Sequence, residues 1–259
     1  MILPFRIVGD SEPFIYMIII FFGGLFFLYN GLKKLKFKRM IIDLPTSKIK
    51  SLAMGFVEII GKVESCEELL VSPIDKKDCV YFDLHIERHV RRGKRSRWKT
   101  VKKIFDTSLF YLNDDSDKIL IDSNDAELNF KTDLKVQTGL FTEMPKKIKN
   151  FCEENEITHQ FLGIKQKLRF TEKVIEPNDQ LYIMGSAIEN DKTELIKDSG
   201  SIKIGKSDSH LYYYISDSSE KELLHQFGWK VPLQIFGGAI VAIGALYISL
   251  MIAIEKQYI

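Results

Sequence analysis

The chain has 259 residues, with 37 Lys and Arg against 35 Asp and Glu, so its formal net charge of +2 sums unlike segments and excludes no partner. Three cysteines, Cys66, Cys79 and Cys152, are too few for a disulfide framework and lack C-x-x-C spacing, so reduced thiols are expected. Two long runs almost free of polar side chains, one near each end, point to a membrane-held chain rather than a free globule.

Residues 1–13 form a short N-terminal segment with Arg6 as its cationic side chain. From Phe14 to Leu32 the one non-apolar side chain is Asn30, and from Val231 to Ile254 Gln234 and Ser249 are the interruptions. As helices rising about 1.5 Å per residue, these stretches reach roughly 28 and 36 Å, against a hydrocarbon core of about 30 Å. Residues 14–32 and 231–254 are therefore predicted to cross a bilayer. The first is read as a retained anchor, since Lys33, Lys34, Lys36, Lys38 and Arg39 follow it and no small-x-small cleavage site intervenes. The same five cations, set against Asp10 and Glu12 on the other flank, predict that the intervening domain is cytoplasmic.

Residues 33–230 are enough for a sizeable core. A helical turn after Pro45 is expected to end near Ser51, Leu52 and Ala53, with Gly55 breaking it. Alternation follows, with Val57, Ile59 and Val63 on one face, Phe56, Glu58 and Ile60 on the other, and Gly61 as a bulge or close approach. After the SPIDKKD turn from Ser72, CVYFDLHIERHV from Cys79 reads as a long strand with Val80, Phe82, Leu84 and Ile86 on one side. The loop RRGKRSR and the returning WKTVKKIF from Trp98 complete a β-hairpin with a strongly basic tip. Short strands are predicted at SLFYL, KILID and AELNF, separated by Asn/Asp/Ser turns. Pro145, then Ile148, Phe151 and Cys152, predict a short amphipathic helix. Strands resume at KLRFTEKVI and QLYIMGSAI, then a hairpin around Lys197 to Gly200, then LYYYIS. A last short helix starts at a Ser219/Glu222 capping box, carries Leu223, Leu224 and Phe227, and ends at Gly228, with Trp229 as an interfacial aromatic and 255–259 as a tail beyond the second crossing. The fold class is thus an α+β membrane protein, two transmembrane helices flanking a predominantly β domain with short helices.

The hairpin tip holds Arg88, Arg91, Arg92, Lys94, Arg95, Arg97, Lys99, Lys102 and Lys103. Such a run can hold anionic lipid headgroups or an acidic protein partner. Nucleic acid is disfavoured because Trp98 is the lone stacking platform. The plain alternative is a solvated hairpin whose charges protect a sheet edge. His85 and His89 share a strand face, but no third ligand is placed, so no metal or cofactor is expected. No nucleophile turn or phosphate loop is present, and nothing in the domain announces catalysis. In the second crossing, Gly238, Ala242, Ala245 and Ser249 repeat at spacing suited to close helix approach, either to the first helix, with its Gly23, Gly24 and Gly31, or to another copy in a homo-oligomer.

PTSKIKSLAMGFVEIIGKV from Pro45, CVYF before the basic hairpin, RW at Arg97 and Trp98, FYLNDD from Phe110, and YYYIS before the last helix and crossing together resemble the GIDE family. These are membrane-anchored ubiquitin ligases of mitochondria and chloroplasts, with many prokaryotic relatives. The resemblance covers nearly the whole chain. It implies that the domain between the membrane helices recognises a substrate or partner, and that a RING finger after the second helix recruits the conjugating enzyme. A RING holds two zinc ions through seven or eight Cys/His ligands. The sequence given ends five residues beyond Ile254 with three scattered cysteines, so the expectation is a RING-less member acting as a non-catalytic partner-recognition module. A ligase or ligase subunit working with a separate RING protein is the alternative, and an anionic-lipid-binding domain is a third. In the mitochondrial relatives this domain faces the intermembrane space, whereas the basic flank predicts the cytoplasm here.

Overall fold

The computed structural model describes residues 12–66, 68–139, 143–157, 160–161, 164–190, 200–208, 210 and 212–257. Its helices are α1 (Glu12–Asp43), α2 (Lys146–Glu154), α3 (Glu220–Phe227) and α4 (Lys230–Gln257). The chain divides into two compact units, Met1–Leu44 with Glu220–Ile259, and Pro45–Ser219.

The first unit is helical. Two of its segments, Phe14–Asp43 and Glu220–Ile254, are long and apolar enough to cross a membrane. Their large side chains are mostly exposed, as at Phe22 (61%), Phe26 (67%), Ile240 (70%) and Ile243 (66%), unlike those of a core helix. Asn30 donates its amide to the Phe26 carbonyl at 2.9 Å, so the polar group in the first stretch is satisfied within its own helix. Helix α1 runs past Leu32 through the basic flank, because Leu, Lys, Arg and Met favour helix there. A second apolar stripe also holds it. Ile41 is buried, and Phe37 meets Phe227 of α3 edge-on at 5.7 Å. The helix stops before Pro45, whose ring disfavours helical geometry at Leu44. Residues 33–44 and 220–230, which hydropathy alone groups with the intervening domain, thus pack with the long helices.

The second unit is built from strands β1 (Gly55–Ser65), β2 (Leu70–Val71), β3 (Asp78–Cys79), β4 (Tyr81–Arg92), β5 (Arg95–Thr107), β6 (Phe110–Asn113), β7 (Lys118–Ile121), β8 (Glu127–Asn129), β9 (Leu134–Gln137), β10 (Gln160–Phe161), β11 (Ile164–Lys165), β12 (Leu168–Ile175), β13 (Gln180–Glu189), β14 (Ile202–Gly205) and β15 (Tyr214–Ser216). A 3-10 turn at Ile49–Ser51 occupies the segment expected to turn after Pro45. The larger sheet runs β1-β6-β7-β14-β13-β15-β8, and β1 also pairs with β13. These pairings close β1, β6, β7, β14 and β13 into a ring, while β15 and β8 extend the sheet from β13 and β8 forms its outer edge. Its core includes Val57, Ile59 and Val63 with Leu112, Ile121, Leu181, Ile183, Ile204 and Ile215. Gly61 is a close approach, since a Cβ there would fall 2.5 Å from the Asn113 carbonyl oxygen.

The smaller sheet, ordered β5-β4-β12-β9, lays one face on α2. Leu84, Ile86, Leu168 and Phe170 meet Ile148, Phe151 and Cys152 in a second core. Strands β13 and β14 pair antiparallel, while the hairpin placed around Lys197 to Gly200 falls largely on 191–199, outside the described residues.

Candidate binding surface on the basic hairpin

Strands β4 and β5 pair from Tyr81↔Thr107 to Arg92↔Arg95, leaving Gly93 and Lys94 as the loop. The expected seven-residue loop RRGKRSR is therefore mostly strand. Gly93 has a φ of +60°, which a tight hairpin demands at its first loop position and which only glycine adopts freely. Beyond Leu168, which pairs with Arg88, β12 no longer flanks β4, so the outer part of the hairpin is a two-stranded ribbon. One bulge lies inboard of it, where Ile86↔Lys102 is followed by Glu87↔Thr100 and Val101 is unmatched.

Register sorts the cations. Directly opposed residues share a face, and faces alternate along each strand. Arg88 opposes Lys99 and Val90 opposes Arg97, so Arg88, Arg95, Arg97 and Lys99 share the face that continues from Ile86 and Leu84. Arg92 occupies the register position opposite Arg95. Arg91 lies on the other face, its Nε donating to the Gly93 carbonyl at 3.3 Å, and Lys94 is in the loop. Arg95, Arg97 and Lys99 are exposed, and among the described residues none has an acidic partner within ion-pair distance. Arg88 is half-buried and donates to Gln166 Oε1 at 3.4 Å.

On the opposite face, beside the exposed Arg91, Trp98 and Glu87 engage the Arg169 cation. Trp98 is half-buried, with the Arg169 guanidinium 4.4 Å from its ring centre and His89 edge-on at 5.2 Å. Arg169 also donates to Glu87 at 2.7 Å. Trp98 is thus a hairpin anchor whose stacking surface is already in use. His85 lies 3.2 Å from the Asp83 carboxylate, while His89 packs on Trp98. Among the described residues no group of three or more His, Cys, Asp or Glu is arranged to hold a metal.

Two buried carboxylates escaped notice in the sequence. Glu172 in β12 is fully buried, accepts the Ile74 amide at 3.0 Å, and leaves Oε2 without a protein partner. Burial pushes its pKa up, against the pull of the Ile74 and Asp75 amides. Its signal was legible, since Leu168, Phe170, Glu172 and Val174 alternate and put a carboxylate on an apolar face. Glu58 in β1, 1% exposed, accepts from Tyr182 Oη at 2.6 Å and Thr46 Oγ1 at 2.7 Å. It ties the segment after Pro45 to the ring of strands. A surface pocket of about 350 Å³ lies nearby, lined in part by Lys48, Lys62, Asn113 and Asp114. Asp114 is committed to backbone amides, accepting the Ile49 amide of the 3-10 turn at 3.1 Å and the Ser116 amide of its own loop at 2.9 Å. Burial would raise its pKa, but these bonds outweigh that and hold it low.

Cys79 and Cys152 are buried in different clusters, and burial pushes both thiols up to about 11, which disfavours the thiolate that zinc or nucleophilic chemistry needs. In the helical unit, Gly238, Ala242 and Ala245 are buried and Ser249 is half-buried. A Cβ on Gly238 would come within 2.6 Å of the Leu28 nitrogen and 2.8 Å of the Gly24 oxygen. The seam is therefore backbone against backbone, between α4 and α1. Gly24 and Gly31 share it, whereas nothing lies within 4 Å of a Cβ at Gly23.

The hairpin lies within a wider match. A family model described as GIDE, E3 ubiquitin ligase, matches residues 83–249, which takes in β4 from Asp83, the ribbon, the later strands β6–β15 and most of α4. No curated protein and no solved structure matches the chain. With more than half of its length matched, the chain belongs to the GIDE family.

Proposed function

We propose that this chain is a membrane-anchored partner-recognition module of the GIDE family, with its strand-rich unit on the cytoplasmic side. The observation that carries the membrane part is the belt of exposed large apolar side chains on α1 and α4, a surface that water would penalise and hydrocarbon would cover. The basic run Lys33 to Arg39 supports the cytoplasmic orientation. Support for recognition over catalysis comes from the polar groups, which are spent on structure. Glu58 and Asp114 hold loops, Trp98 and Arg169 hold each other, and Cys79 and Cys152 are buried. Among the described residues, Arg95, Arg97 and Lys99 of the ribbon stay outward without an acidic partner.

The test is affinity capture with the full-length chain in detergent, comparing wild type with Arg95→Gln/Arg97→Gln/Lys99→Gln. A reproducible protein partner is expected, and recovery of none from either form would contradict the proposal. The family description favours one second reading, a ligase subunit acting beside a separate RING protein. Ubiquitin transfer that needs such a protein as well as this chain would support the subunit role. Transfer by the purified chain alone would overturn the non-catalytic assignment.

A further inference from the structure

We propose that the cation face of the β4–β5 ribbon docks on anionic phospholipid headgroups of the bilayer that holds α1 and α4. The proposal rests on the membrane reading above. Arg95, Arg97 and Lys99 stand at alternate positions of β5, spaced by about 7 Å, and Arg88 opposes Lys99 from β4. Four cations thus lie on one side of a ribbon segment roughly 14 Å long, and among the described residues no acidic side chain is within ion-pair distance of the exposed three.

Edge protection alone does not account for this pattern. β5 is an edge strand, and charges on it discourage pairing with other chains, but they would do so on either face. Register instead sets Arg88 directly against Lys99, and like charges so placed destabilise a hairpin. A concentrated, one-sided cost of this kind is offset when an anionic surface is present. Aromatic stacking is not on offer, because Trp98 points to the other face and is capped by Arg169. The ribbon therefore suits a ligand that presents repeated phosphates without requiring its bases to be stacked. A domain joined at both ends to membrane-length helices meets a bilayer at high effective concentration, which favours lipid over free nucleic acid or peptide.

The test uses the full chain in nanodiscs of phosphatidylcholine, alone or with about a third phosphatidylglycerol, each doped with a headgroup-nitroxide lipid. A fluorophore is placed by Val90→Cys, at the centre of the cation face, in a Cys66→Ser background. Cys79 and Cys152 are buried and stay unlabelled. Quenching is expected to be about threefold greater in anionic than in neutral discs, and to fall to the neutral level in high salt or with Arg95→Gln/Arg97→Gln/Lys99→Gln. The triple variant removes like charges and is expected to melt no lower than wild type. Arg97→Gln alone carries the same test at smaller amplitude. Equal quenching in both discs, or quenching indifferent to the three cations, overturns the docking. So does tight binding of an oligonucleotide or polyglutamate through those cations with no lipid dependence. A chain that fails to remain in the discs overturns the membrane reading and this proposal with it, whereas a chain retained with an unquenched label overturns the docking alone.

Discussion

Glu172 is a carboxylate in an apolar core, and its consequence is a pH dependence of stability. Burial raises its pKa above the usual 4.5, and burial likewise pushes Asp179 and Asp217 up. A carboxyl with a higher pKa folded than unfolded contributes stability that is complete below the unfolded value and is lost as pH rises through the folded one. Wild-type stability is therefore expected to decline as pH climbs from about 4.5 toward neutrality. Glu172→Gln, which cannot ionise, should show a shallower decline in denaturant titrations across that range, and an unchanged slope would refute the assignment. Trp98 is the other residue-scale case. Trp98→Ala removes the Arg169 contact and the His89 edge, and should cost about 1–2 kcal/mol in urea unfolding. A loss below about 0.5 kcal/mol would mean that the ribbon holds its shape without the ring.

At the scale of elements, the helix pair and the hairpin obey different rules. Between α1 and α4 the contact is steric, so Gly238→Leu should lower the stability of the detergent-solubilised chain by about 1–3 kcal/mol. Gly237→Leu is the matched control, since nothing lies within 4 Å of its Cβ. Equal effects from the two would place the seam elsewhere. In the hairpin, alternation is legible from residue types alone, and the strands at KLRFTEKVI and QLYIMGSAI lie where apolar periodicity put them, whereas the strand expected from Cys79 is interrupted at Val80, which joins the core of the strand ring while Leu84 and Ile86 join the second core. Residue type alone marks the tip as a longer loop, because Arg and Lys do not read as strand formers. A two-residue turn at Gly93 nevertheless keeps them paired, and it is this pairing that separates Arg91 from Arg95 and Arg97. Helix α1 outran its apolar stretch for a related reason. Hydropathy sees lysines at 33 to 38, while Phe37 still meets Phe227 of α3 and Ile41 is buried.

For the whole molecule, the order of elements was legible but the closure of the strands was not. The parallel β7–β14 and β8–β15 pairs and the double pairing of β1 join segments far apart in the chain. No local period encodes such contacts; they follow from burying two faces of the same strands at once. We propose that α1 and α4 hold the strand-rich unit at a membrane, on its cytoplasmic side. Cys66 is the half-exposed cysteine of that unit and reports on it without mutation. Sealed right-side-out and inverted membrane vesicles are treated with a membrane-impermeant maleimide, followed by denaturation and mass spectrometry of the Cys66 peptide. Modification in inverted vesicles with protection in right-side-out ones is the predicted result. Modification in right-side-out vesicles would contradict the orientation, and loss of the chain from the vesicles in alkaline carbonate would contradict the membrane anchoring itself.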